Sequence, residues 1–151
     1  MRAEVEELIN AVLDESDCLE DLIDAIREQR EAMRRRDTEA VNDIMNETRD
    51  ISFEVQTQEK LRSDIAGKLS AMFSCEPKVS SLAEKMTDDE REKFNGAADK
   101  LTQSVFVLKS EIMILSGLID QNEKYTSMLL SEWRRLNGDS ISQSGTADFR
   151  G

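Results

Sequence analysis

The side chains able to do chemistry in this chain are carboxylates, guanidinium and ammonium groups, and two thiols. Asp and Glu number 32 against 20 Lys and Arg, and His is absent. Without His the chain lacks the commonest general base, the partner of a catalytic Cys, and the Glu-x-x-His ligand set of helical di-iron bundles. The carboxylates are expected on outer helix faces. Glu6 and Glu7 read as a solvated face rather than an acid/base couple. Asp88, Asp89 and Glu90 lack calcium-loop spacing and read as the acidic first turn of a helix. Cys18 and Cys75 form no CxxC and no metal spacing, so they read as reduced thiols. Neither GxxxxGK[ST] nor GxGxxG occurs, so no phosphate-cradling loop is expected. Nothing in this inventory supports an enzyme, a metal or a cofactor.

The charge balance narrows the partners. A formal net charge of -12 repels phosphate backbones and anionic lipid surfaces, and it keeps an otherwise adhesive protein dissolved. No apolar run follows Met1, and the most apolar stretch, Val105 to Ile119, carries Lys109 and Glu111. Neither nucleic-acid binding nor membrane insertion is expected, and the cytoplasm is the simplest location.

Since no group here is catalytic, the elements themselves must carry the function. One Pro and six Gly leave few breaks, and aromatic residues make up only 5%, so long helices are expected rather than sheet. The longest predicted helix runs from Thr87 to Leu136, about 75 Å at 1.5 Å per residue. Phe94, Leu101, Leu108, Leu115, Leu129 and Leu136 recur at seven-residue spacing, with Asn122 the polar member of the row. Ala98, Val105, Ile112, Ile119, Thr126 and Trp133 form the row four residues on, and the two rows share one face. Thr87 with Glu90 makes a capping box at its start, and Asn137-Gly138 ends it.

A first helix is predicted from about Arg2 to Arg36, with Val5, Val12, Leu19, Ile26 and Met33 in register. It is acidic early and basic late, ending in Arg34, Arg35 and Arg36 as the helix dipole favours. Asp37 caps a second helix, Thr38 to Ser74, whose seam includes Val41, Ile51, Val55, Ile65 and Leu69. Thr48, Gln58 and Arg62 fall on or beside that seam and predict looser packing there, while Phe53 lies off it. Pro77 ends the second helix, and Val79, Leu82 and Met86 mark a short one from Lys78 to Met86. The expected fold is all-α: an elongated antiparallel bundle of three long helices and one short helix over residues 1–138. A flexible Ser/Gly/Asp-rich tail is expected over 139–151.

Within the long helix, apolar residues leave the seam between Val105 and Ile119. Phe106 and Met113 lie round to one side, and Val107, Ile114 and Leu118 round to the other. A helix apolar on all faces is expected to be buried on all faces. A helix held centrally, a homodimer, or a groove for an amphipathic helix of another protein would each account for it. The candidate partner-binding residues are therefore Phe106, Val107, Met113 and Ile114, with the later stripe Tyr125, Leu129 and Trp133.

Several features together resemble one family. They are the size, the acidic first helix, and the second helix opening as Asp37-Thr38-Glu39-Ala40-Val41. The segment Leu118-Ile119-Asp120-Gln121-Asn122-Glu123-Lys124, followed by Tyr125 to Leu130, adds to them. The ending Thr146-Ala147-Asp148-Phe149-Arg150-Gly151 lacks the family's Tyr and offers Phe149 as its aromatic. In these the chain resembles the FlgN family of flagellar export chaperones. The resemblance implies a cytoplasmic chaperone that covers the amphipathic C-terminal helices of hook-associated proteins and delivers them to the export gate. The alternative is a homo-oligomeric coiled-coil scaffold without chaperone activity.

Overall fold

The computed structural model describes residues 1–120 and 134–135. Four helices follow in order: α1 (Ala3–Arg34), α2 (Thr38–Phe73), α3 (Val79–Glu84) and α4 (Asp88–Asp120). Among the described residues the fold is all-α, with three long helices and one short one, as the periodicity predicts. Apart from residues 134–135, the part of the predicted long helix beyond Asp120, with Asn122, lies outside the described residues, as does the tail.

Two tight turns make the bundle without Gly. At the end of α1 the Arg36 amide donates to the Met33 carbonyl, and the Asp37 amide to the Ala32 carbonyl. This places Arg36 in the left-handed region at φ 58°. Asp37 then caps α2 by accepting from the Ala40 amide at 3.1 Å. Ser74 does the same at the end of α2, with φ 53° and the Cys75 amide donating to the Ser70 carbonyl. The bonds satisfy the terminal carbonyls of each helix, which is why a residue with a β-carbon tolerates the conformation.

The helices do not form a closed triangle. The backbones of α2 and α4 both lie along α1, but they hardly approach each other. The central helix is therefore α1 and not, as one reading of the sequence has it, the long helix. Its burial shows the reason. Val5, Leu8, Ile9, Ala11, Val12, Leu19, Leu22, Ile23, Ala25 and Ile26 are all buried, and they cover more than one face of α1. The α4 rows Phe94, Leu101, Leu108, Leu115 and Ala98, Val105, Ile112, Ile119 are buried as predicted. By composition α4 is long and apolar enough to cross a membrane. Here those rows are bundle core, and α4 also carries a charge that α1 holds.

Ion pairs set the register. Glu111 of α4 accepts from Arg30 at 2.6 Å and from Arg27 at 3.2 Å. At the other end Arg2 donates to Glu90 through its side chain at 2.7 and 3.1 Å and through its backbone N–H at 3.1 Å. Arg2 also stacks 4.7 Å above the Phe73 ring, so one residue ties the start of α4 and the end of α2 to α1. The predicted capping box is present, with the Glu90 amide donating to Thr87 Oγ1 and the Thr87 amide to Glu90 Oε1. These contacts show that α1 and α4 run parallel.

The α1–α2 seam is antiparallel and fixed by a buried pair, Arg62 Nε donating to Glu15 Oε1 at 2.8 Å. Glu15, Glu90 and Glu111 are thus inside the bundle, contrary to the expectation that the carboxylates lie on outer faces. Of the polar residues on or beside the α2 seam, Gln58 is half-buried. Thr48 and Arg62 are buried, because Arg62 brings its own counter-charge and Thr48 is small. Continuing the 15-to-62 register by two heptads places Gln29 opposite Thr48, and Gln29 too is fully buried.

Removing one partner of the Glu15–Arg62 pair strands a buried charge. Arg62→Met should cost roughly 3 kcal/mol, and Glu15→Met with Arg62→Met should recover most of that loss in urea unfolding. Glu90 tests the acid limb. Its hydrogen bonds from Arg2 hold its carboxyl well below the usual carboxylate range. Its contribution is therefore complete above its unfolded pKa of about 4.3 and is lost as pH falls through that range. The gap in unfolding midpoint between the parent and Glu90→Gln should be widest near neutrality and narrow steadily on acidification. Glu15 acts with opposite sign: burial raises its pKa against the pull of Arg62, so protonating it favours the fold.

Candidate functional site

The polar chemistry of the chain is spent on the fold. Glu15, Glu90 and Glu111 are each held by an arginine from another part of the chain. Burial pushes the Cys18 thiol up to about 11, and nearby Glu54, Asp21 and Asp14 add to the rise. A thiol so shifted stays protonated at neutral pH and is no nucleophile. The surface that remains unexplained is apolar.

On α4 the residues picked out by the sequence fall outside the core. Phe106 is 70% exposed, Met113 74% and Ile114 50%, and Val107 is half-buried. The expectation that a helix apolar on all faces is buried on all faces therefore fails within one chain. Only α1 covers α4 along its length, and it takes the row from Phe94 to Ile119.

Helical geometry sorts these residues into two ridges. Phe106 and Met113 are seven apart and share one line, and Val107 and Ile114 share another about 100° round. Between the ridges runs a third seven-residue row, Gly96, Gln103, Ser110 and Gly117. At Ser110 and Gly117 small residues thus stand between larger ones, the ridge-and-groove relief on which helices pack in general. From Thr102 to Leu118 the charged residues are Lys109 and Glu111 alone, and Glu111 is turned onto α1. The outward strip therefore carries no charge along its centre.

Gly117, like Gly67 and Gly96, stands in open space within the described bundle. A β-carbon there would meet nothing within 4 Å. A glycine inside a helix costs about 1 kcal/mol relative to Ala, and no packing within the described bundle offsets that cost. Sequence reading found the four apolar residues but missed the row between them. A heptad count begun at Gly96 instead of Phe94 would have found it. Tyr125, Leu129 and Trp133 lie outside the described residues. Phe53, also off its seam, is 71% exposed on α2 but stands apart from this strip in the chain.

Beside the Val107 ridge, α1 and α4 leave an open groove of about 420 Å³. Its walls include Ile23 and Val107, with Glu20, Asp24, Arg27 and Lys100 around them. Among the described residues the arrangement is an exposed apolar strip beside an open groove edged with charge.

The family described as FlgN protein matches residues 1–143, almost the whole chain. The chain belongs to the FlgN family. No curated protein and no solved structure matches it. FlgN proteins are flagellar export chaperones for hook-associated proteins; they are not enzymes, and they act in the cytoplasm. An apolar, charge-free strip on an acidic bundle is the kind of surface such work requires, because a chaperone must be adhesive locally and soluble as a whole.

If Gly117 is unused by the fold, Gly117→Ala should stabilise the free FlgN-family protein by up to about 1 kcal/mol in urea unfolding. A destabilisation instead would show that the position is packed within the chain.

Proposed function

We propose that the outward strip of α4 receives the amphipathic C-terminal helices of hook-associated proteins. In this reading Phe106 and Met113 form one ridge, Val107 and Ile114 the other, and the client's apolar side chains sit over Ser110 and Gly117. Tyr125, Leu129 and Trp133 extend the binding surface. The client is kept soluble until it is delivered to the export gate. The observation that carries this reading is the exposure of Phe106, Met113 and Ile114 on a helix whose opposite face is fully packed.

The physical argument is one of unmatched area. Burying a large apolar side chain is worth roughly 1.5–3 kcal/mol, so three exposed ones on one helix are a substantial reserve of binding energy. Met113 adds a flexible, polarisable contact, suited to clients whose helices differ in detail.

The test is retention of a full-length hook-associated protein from the same genome during co-purification. Phe106→Glu with Met113→Glu should leave the circular dichroism spectrum and the unfolding midpoint nearly unchanged. It should reduce client retention at least ten-fold, and a client lacking its C-terminal helices should be lost from the parent protein as well. Unaltered retention by the double variant would refute the docking face. A substitution that dissociates a homo-oligomer while the client stays bound would favour the scaffold reading.

A further inference from the structure

We propose that the client's docking helix carries a basic edge, seated against Glu20 and Asp24 of α1 where the groove between α1 and α4 opens. The proposal rests on the docking along α4 set out above and adds to it the charge pattern of the partner and the way it lies.

The groove borders the Val107–Ile114 ridge, so a helix lying over Ser110 and Gly117 has one edge above it. The cations in the groove are already engaged: Arg27 reaches Glu111 at 3.2 Å, and Lys100 reaches Asp17 at 3.6 Å. The anions are not. Glu20 and Asp24 are exposed and form no ion pair among the described residues. They stand four apart on one helix, an arrangement of like charges that destabilises the free helix. Among the described residues the groove's own cations, Arg27 and Lys100, pair with Glu111 and Asp17 instead, and a cation from a partner would relieve the two carboxylates. Ile23 and Val107 between the helices offer an apolar floor for the stem of a Lys or Arg whose head reaches the two carboxylates.

The far edge of the strip differs, since Lys109 borders the Phe106–Met113 ridge. The two edges thus carry opposite charges. A helix with basic residues along one side fits in one rotational setting, while the same helix turned over sets its basic edge against Lys109 and leaves Glu20 and Asp24 unmatched. A second copy of this chain is a poor occupant, because its net charge of -12 sets acid against Glu20 and Asp24. Nucleic acid and anionic membrane are disfavoured for the same reason.

The experiment measures association of the full-length chaperone with a full-length hook-associated protein, from about 50 to about 500 mM NaCl. The parent's association rate should fall as salt rises. Glu20→Lys with Asp24→Lys should slow association about ten-fold at low salt and leave it nearly independent of salt, because rim charges act chiefly on the on-rate. Glu20→Gln with Asp24→Asn should fall between. Circular dichroism should show both variants folded, with melting no lower than the parent's. If charge reversal leaves the rate and its salt dependence unchanged while Phe106→Glu still abolishes binding, the basic-edge proposal is overturned and the docking face stands. If Phe106→Glu binds client as the parent does, the docking face itself falls and this proposal with it. A parent dimer that the charge-reversed variant loses would assign the groove to a second copy and overturn the proposal as well.

Discussion

The structure depends on α1 being apolar over an arc wide enough for two neighbours. By helical spacing from Glu15, which meets α2, and Arg27, which meets α4, Ala11, Leu22 and Ala25 fall toward α2 and Ile9, Ser16 and Ile23 toward α4, with the fully shielded Leu8, Leu19 and Ile26 between. Because both neighbours dock on α1, neither needs the other. α2 and α4 are each half-buried helices, and the side of α4 away from α1 has no partner among the described residues. A closed three-helix bundle would bury more of α4 and leave less of it to offer.

Packing alone does not choose a register, because heptad seams slide by a whole repeat at modest cost. Charged groups inside the seams remove that freedom. Glu15 with Arg62 fixes α2 against α1, and Glu90 and Glu111 fix α4 against α1 near its two ends. A slip of one repeat would bury unpaired charge at each of these places, which is far more costly than misplacing a Leu. The same logic keeps the bundle intact when an apolar client helix arrives. A competitor for the core would have to supply a partner for Arg62 as well as apolar area.

The sequence discloses what repeats and conceals what pairs. Over the described residues the bounds of the first three helices, the start of α4, the caps there and the core rows were legible, because they rest on spacing and on local signals such as Asp37 and the Thr87–Glu90 box. The left-handed Arg36 was not, since a Schellman end without Gly leaves no mark in composition. Nor were the buried glutamates. A carboxylate on a helix reads as solvent-facing until an arginine some eighty residues away is known to meet it, as Arg30 meets Glu111. The candidate site was half legible. Phe106 and Met113 stood out by type, but Ser110 and Gly117 are unremarkable until the helix is known to be bare on that side.

That bareness also bears on how tightly a client is held. An export chaperone must give its cargo up, so its surface has to be adhesive without becoming a core. The strip on α4 is suited to this. It has two ridges with a shallow row between them, one aromatic ring, a flexible Met, and no buried hydrogen bond that a client would have to match. Apolar contacts of this kind tolerate variation in the partner and lose little when its side chains differ by a methylene. Specificity then has to come from elsewhere, and in the proposed docking Glu20 and Asp24 at one border would supply it. Charges at a rim steer and orient a partner more than they hold it, so they select a helix while leaving its release to the weaker apolar contacts.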